Sequence, residues 1–301
     1  MVELNLGVLT TEMQNEKTMR LDEMSPIDII TVMNEEDNKV VAAVRRVLPQ
    51  IAEAIRYTSE SLKSGGRIVY IGAGTSGRLG ILDAVECPPT FGVDDNTIVG
   101  LIAGGDRAFL KAVEGAEDSE EQALLDAKGI DLKPVDTVVG LTASGRTPYT
   151  IGALKYAKEL GCATVAISCN ENAAASPYAD VAIELLPGPE ILAGSTRLKA
   201  GTAEKMVLNM ISTVSMIEIG KVYGNLMVDV RPTNQKLECR AESILMKATN
   251  CSQEQARKAL QEAGGETKLA ITRMLLGTDL ETARSRLTSA GGRVKDALDN
   301  R

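Results

Sequence analysis

Three loops rich in glycine, serine and threonine contain the residues best suited to hold a charged small molecule. They span residues 72–78, 142–147 and 194–202, and each precedes a predicted helix. Glycine lets the backbone approach a ligand closely, and the free N–H groups at a helix start attract an anion. Several hydroxyls add neutral donors. Three such loops in one α/β sheet could converge on one phosphate, so we expect a phosphorylated ligand, in particular a sugar phosphate.

The expected contacts to this ligand come from all three loops. They are Gly74, Thr75, Ser76, Ser144, Gly145, Arg146, Thr147, Ser195, Thr196 and Lys199. The sequence does not determine which hydroxyls touch the phosphate. It also does not determine whether Lys199, Lys205 or Arg78 assists.

Proton transfer must rely on residues other than histidine, because the chain contains none. Glu86 is one candidate, since Cys87-Pro88-Pro89 follows it and a diproline is expected to end the helix there. The acidic cluster at 114–118, which contains Glu117, is another candidate. For an arbitrary glutamate, a solvated helix end is the simpler interpretation of both positions.

The first loop also matches the Gly-x-Gly-x-x-Gly pattern of dinucleotide-binding folds, at Gly72, Gly74 and Gly77. A dinucleotide site would need an acidic residue at the end of the next strand. The first candidate, Asp106, lies several residues beyond the end of that predicted strand. A glycine turn without a ligand is the other alternative. The sequence has no Gly-Lys-Ser/Thr signature of a nucleotide triphosphatase.

Composition excludes several classes of partner. The chain has 301 residues, a net charge of −8, 44% hydrophobic residues and a pI near 4.9, so we expect no nucleic-acid partner. We expect no membrane span and no metal or redox cofactor. The five cysteines form no Cys-x-x-Cys pair, which is typical of thiols in a reducing cytosol.

Apolar runs alternate with helical patterns from residue 67 onward. Strands are predicted at 67–71, 97–102, 136–141, 163–168 and 181–185, with helices near 77–86, 106–115, 149–160 and 199–219. This pattern predicts an α/β fold with a doubly wound parallel sheet. One helix is predicted over 37–62, preceded by a possible helix start at 28–33.

The end of the chain contains a short repeat. Residues 254–270 recur at 281–297, and each copy reads as helix, Gly-Gly, helix. We therefore expect three parts, namely an N-terminal helical segment (1–60), a sugar-phosphate domain (61–235) and a small helical domain (240–301).

Together these motifs resemble the N-acetylmuramic acid 6-phosphate etherases (the MurQ family), whose core is a SIS, or sugar isomerase, domain. The resemblance covers most of the chain. Its most specific stretches are 72–93 (GAGTSGRLGILDAVECPPTFGV), 100–106 (GLIAGGD), 112–119 (AVEGAEDS), 143–150 (ASGRTPYT), 188–206 (GPEILAGSTRLKAGTAEKM) and 224–231 (GNLMVDVR).

The resemblance implies a cytoplasmic carbon–oxygen lyase that releases D-lactate from N-acetylmuramic acid 6-phosphate without a cofactor. It places the two catalytic glutamates at Glu86, as acid, and Glu117, as base. It also implies a homodimer with shared sites. A non-catalytic sugar-phosphate sensor and an aldose–ketose isomerase remain alternatives, because both use the same fold.

Overall fold

The computed structural model describes residues 9–230 and 235–299, which form two compact units. Unit 1 comprises Met1–Val85 and Asn96–Ser212, and unit 2 comprises Glu86–Asp95 and Thr213–Arg301. The predicted domain boundaries at 60, 235 and 240 stay predictions. The start of the first predicted segment, Arg231 of the last resemblance stretch and the end of the helical domain lie outside the described residues.

Most of the chain is helical, and five strands form the main sheet. The helices are α1 Pro26–Arg46, α2 Leu48–Lys63, α3 Gly74–Phe91, α4 Asp106–Leu110, α5 Glu120–Gly129, α6 Pro148–Leu160, α7 Lys199–Glu218, α8 Gln235–Thr249, α9 Gln253–Glu262, α10 Thr267–Leu276, α11 Leu280–Ser289 and α12 Val294–Asp299. The strands are β1 Ile68–Gly72, β2 Ile98–Ile102, β3 Thr137–Thr142, β4 Ala163–Ser168 and β5 Val181–Glu184, with a short hairpin of β6 Val222–Tyr223 and β7 Leu226–Met227. None of the described helices has the length and apolar character needed to cross a membrane.

The main sheet is parallel throughout, with strand order β2-β1-β3-β4-β5. Every residue of β1 and β3 is buried, which is expected of central strands covered on both faces. Each predicted strand matches an observed one to within a residue at either end. The prediction of a doubly wound α/β fold with a small helical C-terminal domain is therefore confirmed.

Side chains of β1 alternate between the two helical layers of unit 1. Val69 and Ile71 belong to a buried cluster shared with α5 and α6. Tyr70 points to the opposite face, where its hydroxyl donates to Asp83 of α3 at 3.0 Å. The sheet thus anchors helices on both faces and fixes where the loops after its strands begin.

The single helix predicted over 37–62 is wrong in extent, because the structure has two helices there. α1 begins after the Ser25 cap, with Pro26 in its first turn, and ends at Arg46. Val47 leaves the helical region, with φ −108° and ψ 15°, and α2 follows with Pro49 in its first turn. Proline cannot donate a backbone hydrogen bond and crowds the preceding turn, so Pro49 favours a new helix start.

The sequence predicts that the diproline ends α3 at Glu86, and this prediction is wrong. α3 continues through Pro88 and Pro89 to Phe91, because the fixed φ of proline is compatible with a helix even though two backbone donors are lost. Gly92 then adopts a φ of +64°, and a Cβ there would lie 2.0 Å from the Asp229 carbonyl oxygen. Glycine at 92 is thus what lets this segment pack within unit 2.

The helix predicted over 106–115 is also shorter than expected. α4 ends at Leu110, since Lys111 is extended. A separate turn of 3₁₀ helix, Ala116–Asp118, follows Gly115, whose φ of +73° is left-handed. Glu117 therefore lies on its own short turn.

The C-terminal repeat folds as predicted, with helix, Gly-Gly and helix in each copy. Gly265 donates its N–H to the Leu260 carbonyl, and Gly292 donates to Leu287, both at 2.8 Å. All four glycines of the two pairs have positive φ. Equivalent positions of the two copies are buried in one core: Ala256 and Ala283, Leu260 and Leu287, Ala270 and Ala297.

A buried ion pair joins α1 to the start of α7 within unit 1. The Lys199 ammonium lies 2.9 Å from Glu36 Oε2 and also donates to the Pro187 carbonyl at 3.1 Å. Both side chains are almost fully buried. Burial by itself raises the pKa of Glu36, but the ammonium groups of Lys199 and Lys39 outweigh it and hold the pKa at about 2. The carboxylate is therefore ionised and depends on these cations.

We predict that Lys199→Met destabilises the protein by about 3 kcal/mol, because it leaves a buried carboxylate without its buried partner. Lys39→Met is the matched control: it removes an exposed lysine from the same carboxylate and should cost under about 1 kcal/mol. Urea unfolding of both variants measures the difference. Equal costs for the two substitutions would show that the buried pair is not the stabilising contact, and adding Glu36→Gln to Lys199→Met should recover part of the loss.

Candidate functional site

The first two hydroxyl loops begin at the point where the strand order of the sheet reverses. β1 is bonded to both β2 and β3, and Gly72 at the end of β1 lies beside Leu141 of β3. In open parallel sheets, ligands bind in the crevice beyond the carboxyl ends of the two strands at such a reversal. The backbone thus places loop 1, residues 72–78, next to loop 2, residues 142–147.

Close backbone contacts explain the glycines of loop 1. A Cβ at Gly77 would lie 2.7 Å from the Gly72 carbonyl oxygen and 2.7 Å from Ile102 Cγ1. Gly74 has a φ of +53°, and no atom lies within 4 Å of where its Cβ would be. Gly77 is therefore needed for packing, whereas Gly74 starts α3 beside open space that a ligand can enter.

Thr142 holds loop 2 in shape. Its hydroxyl oxygen accepts the Gly145 N–H at 3.1 Å and lies 2.8 Å from the Thr147 hydroxyl and 3.3 Å from the Ser144 hydroxyl. The Ser144 oxygen also accepts the Arg146 N–H at 3.2 Å. Loop 2 is thus a closed turn with three hydroxyls grouped together.

Loop 3, residues 194–202, is capped by a carboxylate that the sequence analysis did not single out. Glu190 accepts the backbone N–H groups of Lys199 and Ala200 at 3.0 and 2.9 Å. Burial raises the pKa of Glu190, and the two amide donors oppose that rise. Because Glu190 occupies these amides, the start of α7 does not present them to a phosphate.

The three loops do come together within unit 1. A Cβ on Gly201 of loop 3 would lie 3.3 Å from the Thr75 methyl of loop 1. Ser76 of loop 1 donates to Oε1 of Glu204 on α7 at 2.9 Å. Cys169 joins loops 2 and 3, because its N–H donates to the Ala143 carbonyl at 3.0 Å and its thiol lies 3.7 Å from the Ala200 carbonyl.

Two of the three basic residues considered as helpers for phosphate binding, Lys199 and Arg78, have other partners. Lys199 forms the buried ion pair with Glu36. Because its ammonium is engaged there, this pairing argues against the expected contact between Lys199 and the phosphate. Arg78 donates to the backbone carbonyls of Phe109 and Ala108 at 3.0 and 2.8 Å. The contacts that remain for an anion at loops 1 and 2 are hydroxyls, backbone N–H groups and the side chain of Arg146.

Glu117 lines a cavity together with loop 1. The cavity has a volume of about 160 Å³. Its lining residues are Ala73, Gly74, Arg78, Ala103, Ala108, Ala112, Val113, Glu114, Gly115, Ala116 and Glu117. The left-handed Gly115 turns the chain so that an exposed carboxylate shares this space with the start of α3.

Glu86 lies on α3 in unit 2 and is exposed. Its backbone carbonyl accepts the Thr90 hydroxyl at 2.7 Å. Its carboxylate is thus on the surface of an unbroken helix, available to a ligand.

A larger cavity, of about 680 Å³, lies among the C-terminal helices of unit 2. Its two lysines, Lys268 and Lys221, lie 2.6 and 3.2 Å from the Asp229 carboxylate. None of the residues expected to act in binding or catalysis lines this cavity.

Sequence reasoning missed Thr142, Glu190 and Glu204 as parts of the site. Thr142 ends a strand just before loop 2, so its position could have indicated a turn-forming hydroxyl. The two glutamates carry no local signal, because each acts on a residue that the fold brings to it. For Glu204 that residue is 128 positions away in the chain.

We predict that Gly77→Ala destabilises the protein by about 1–3 kcal/mol, because its Cβ would overlap backbone atoms of β1. Gly129→Ala is the matched control: this helical glycine has nothing within 4 Å of its Cβ position, so the change should be neutral or stabilising by about 0.4–1 kcal/mol. Denaturant unfolding compares the two. A Gly77→Ala variant as stable as the Gly129→Ala variant would contradict the close approach of α3 to β1.

Family models match three stretches of the chain. One described as the glucokinase regulatory protein N-terminal SIS domain matches residues 50–158, and one described as a SIS domain matches 116–213. One described as the C-terminal lid domain of glucokinase regulatory protein matches 224–289. Among solved structures, a phosphoheptose isomerase from Francisella tularensis is 17% identical with a TM-score of 0.45, over 63% of this chain and 100% of its own, a likeness too weak to add to the assignment.

Curated relatives are similar over nearly their whole length. The N-acetylmuramic acid 6-phosphate etherase of an Exiguobacterium species is 55% identical over 97% of this chain and 100% of its own. The protein of that name from Mycolicibacterium smegmatis is 54% identical over 98% and 99%, and the one from Bacillus mycoides is 56% identical over 96% and 99%. At this identity and coverage, the chain belongs to the N-acetylmuramic acid 6-phosphate etherase family.

Proposed function

We propose that this protein is a carbon–oxygen lyase that cleaves the D-lactyl ether of N-acetylmuramic acid 6-phosphate. The products are N-acetylglucosamine 6-phosphate and D-lactate. Its family membership supports the reaction, and it would act in the catabolism or recycling of cell-wall amino sugars.

One structural observation carries the proposal: Glu117 lines the same cavity as Gly74 of the phosphate-binding loop. A carboxylate suited to proton transfer and a loop suited to an anion then serve one ligand. A sugar phosphate bound through its phosphate at loops 1 and 2 would have its carbon chain within reach of acid–base groups.

The chemistry explains why two carboxyl groups are needed. In the open-chain sugar, the aldehyde at C1 acidifies the C2 proton. Removal of that proton allows the C3–O bond to break, with protonation of the departing lactate oxygen. Water then adds at C3 of the unsaturated aldehyde, and a proton returns to C2, which gives the second product.

Glu117 is the proposed base for the C2 proton, and Glu86 is the proposed acid for the lactate oxygen. Glu86 would later activate the water that adds at C3. Positioned carboxyl groups are capable of both roles. This mechanism requires neither a metal nor a redox cofactor, and the chain has no histidine to share the work.

Phosphate binding is assigned to loops 1 and 2 with help from loop 3. Its candidate contacts are Gly74, Thr75, Ser76, Ser144, Gly145, Arg146, Thr147, Ser195 and Thr196. Lys199 is given a structural role instead, since its ammonium is committed to Glu36.

A regulatory sugar-phosphate sensor is the second candidate, because two of the matching family models are named after glucokinase regulatory protein. A sensor needs the phosphate loops but neither Glu86 nor Glu117, so the presence of both carboxylates favours the lyase. An isomerase would also remove the C2 proton but would release no lactate. An assay for lactate therefore separates all three.

The proposed setting is a cytoplasmic homodimer with sites completed by both subunits. Exposed apolar side chains support the proposal that a second subunit packs against this one. On α1 they include Ile27, Ile30 and Val41, each more than half exposed.

We predict that Ser144→Ala and Thr147→Ala each raise KM for the phosphorylated substrate about ten- to a hundredfold, because a neutral donor to a charged phosphate is lost. Thr288→Ala is the control: its exposed hydroxyl donates to the Arg284 carbonyl within α11 of unit 2, and KM should not change. Initial rates of lactate release give the values. Unchanged KM in both loop variants would remove loop 2 from phosphate binding.

We predict different losses for the two catalytic glutamates. Glu117→Ala should abolish lactate release and also exchange of the C2 proton with deuterated water, whereas Glu86→Ala should block release but allow exchange. Each change should slow turnover by about 10²–10⁴-fold. Mass spectrometry of recovered substrate measures exchange.

Glu114→Ala is the control for Glu117, because it removes another carboxylate from the same cavity and should slow turnover far less. Circular dichroism must first show that each variant is folded. Exchange that persists without Glu117 and vanishes without Glu86 would reverse the two roles. Full activity in both variants would overturn the lyase and favour the sensor.

A further inference from the structure

A buried carboxyl group lies directly behind the hydroxyl of Ser76. Glu204, on α7, has no exposed surface, and its Oε1 accepts the Ser76 hydroxyl at 2.9 Å. Its Oε2 is buried and has no hydrogen-bond partner among the described residues. Ser76 is itself 6% exposed and belongs to the loop assigned to the phosphate. Glu204 is thus placed to act on the ligand through Ser76.

No cation pairs with Glu204 in the part of the chain that the structure describes. The groups facing it are the Ser76 hydroxyl and the thiol of Cys169, and burial raises the pKa of that thiol well above its usual range. Lys199, on the same helix, is committed to Glu36. Burial raises the pKa of Glu204 to about 8, with the Ser76 hydrogen bond acting in the opposite direction. Burial without a cation partner therefore favours the neutral, protonated form of Glu204.

The state of this acid decides what Ser76 can offer a ligand. A serine hydroxyl has one proton to donate, and an ionised carboxylate can only accept. Beside ionised Glu204, the Ser76 proton is committed to the carboxylate, and its lone pairs are left to face the anion. Beside protonated Glu204, the carboxyl proton can be donated to Ser76 Oγ, which frees the serine proton.

We propose that Glu204 is a positioning residue whose own proton orients the Ser76 hydroxyl, so that Ser76 donates to the phosphate only while Glu204 is protonated. This rests on the proposed function, because it assumes a sugar phosphate at loop 1. It adds a pH dependence to binding that the two catalytic glutamates do not explain. Ionisation of Glu204 also places a second negative charge near the phosphate, which acts in the same direction.

Binding of N-acetylglucosamine 6-phosphate, the proposed product, tests this directly by calorimetry between pH 7 and 9.5. A phosphate monoester with a second pKa near 6 keeps its charge over this range, so changes report on the protein. Kd should be constant near pH 7 and rise about tenfold or more above pH 8, as the donor from Ser76 is lost. In steady-state kinetics, KM should follow Kd while kcat does not show this transition.

Three variants separate the role of Glu204 from other titrations. In Glu204→Gln the side-chain amide donates to Ser76 at every pH, so Kd should stay low and the rise should vanish. In Ser76→Ala, Kd should already be high at pH 7 and should rise much less with pH, because only the charge of Glu204 still acts on the phosphate. Ser144→Ala is the matched control, because it weakens binding from loop 2, which has no recorded contact with Glu204, and should keep the rise.

A flat Kd for the unmodified protein, or a rise that persists in Glu204→Gln, would overturn the proposal. If Glu204→Gln does not fold, an undiminished rise in Ser76→Ala is the deciding result against it. Lactate release with a flat Kd would leave the lyase standing without this role. Dependence of Kd on Glu204 without lactate release would keep the role and remove the lyase, and absence of binding at every pH would overturn both.

Discussion

The position of β1 between β2 and β3 is the constraint on which the rest of unit 1 depends. Hydrogen bonds on both edges fix its register, so Gly72 ends beside Leu141 and the two following loops start at neighbouring points. Fully buried strands leave no freedom to slip, because a shift by one residue would turn apolar side chains from one helical layer to the other. Gly72 and Gly77 of loop 1 then follow from the close approach of α3 to these strand ends.

Among the described residues of unit 1, three glutamates are buried, and each is stabilised differently. Glu36 is ionised and paired with lysines, whereas Glu190 accepts two backbone amides at the start of α7. Glu204 has only the Ser76 hydroxyl and therefore favours its neutral form. The identity of the partner, rather than burial alone, decides the charge of each carboxyl group.

Most of the donors that loops 1 and 2 offer to the proposed phosphate are neutral. The nearby cations Lys199 and Arg78 hold the scaffold through Glu36 and through backbone carbonyls of α4. Loops 1 and 2 are left with hydroxyls, amides and the guanidinium of Arg146. Such donors must be oriented by their neighbours, which is why residues behind the loop, such as Thr142 and Glu204, matter for what the loop can bind.

The sequence by itself determined the parallel α/β sheet, the positions of its strands, the helix–Gly-Gly–helix repeat and the family. These features are written in local patterns of apolar residues and glycines, so reading along the chain recovers them. The helix breaks were less reliable. Pro49 lies in the first turn of a new helix, whereas Pro88 and Pro89 lie within one. Proline is tolerated at both places because its fixed φ fits a helix and the rest of the structure offsets the lost hydrogen bonds.

Only the tertiary structure decided which side chain serves which partner. It committed Lys199 to a carboxylate from α1, placed Glu190 on the amides of α7, and set Glu204 behind Ser76. It also placed Glu117 in a cavity with Gly74. The contacts of Lys199 and Glu204 join residues more than a hundred positions apart. The energies of all these contacts depend on burial and distance, which local sequence does not encode.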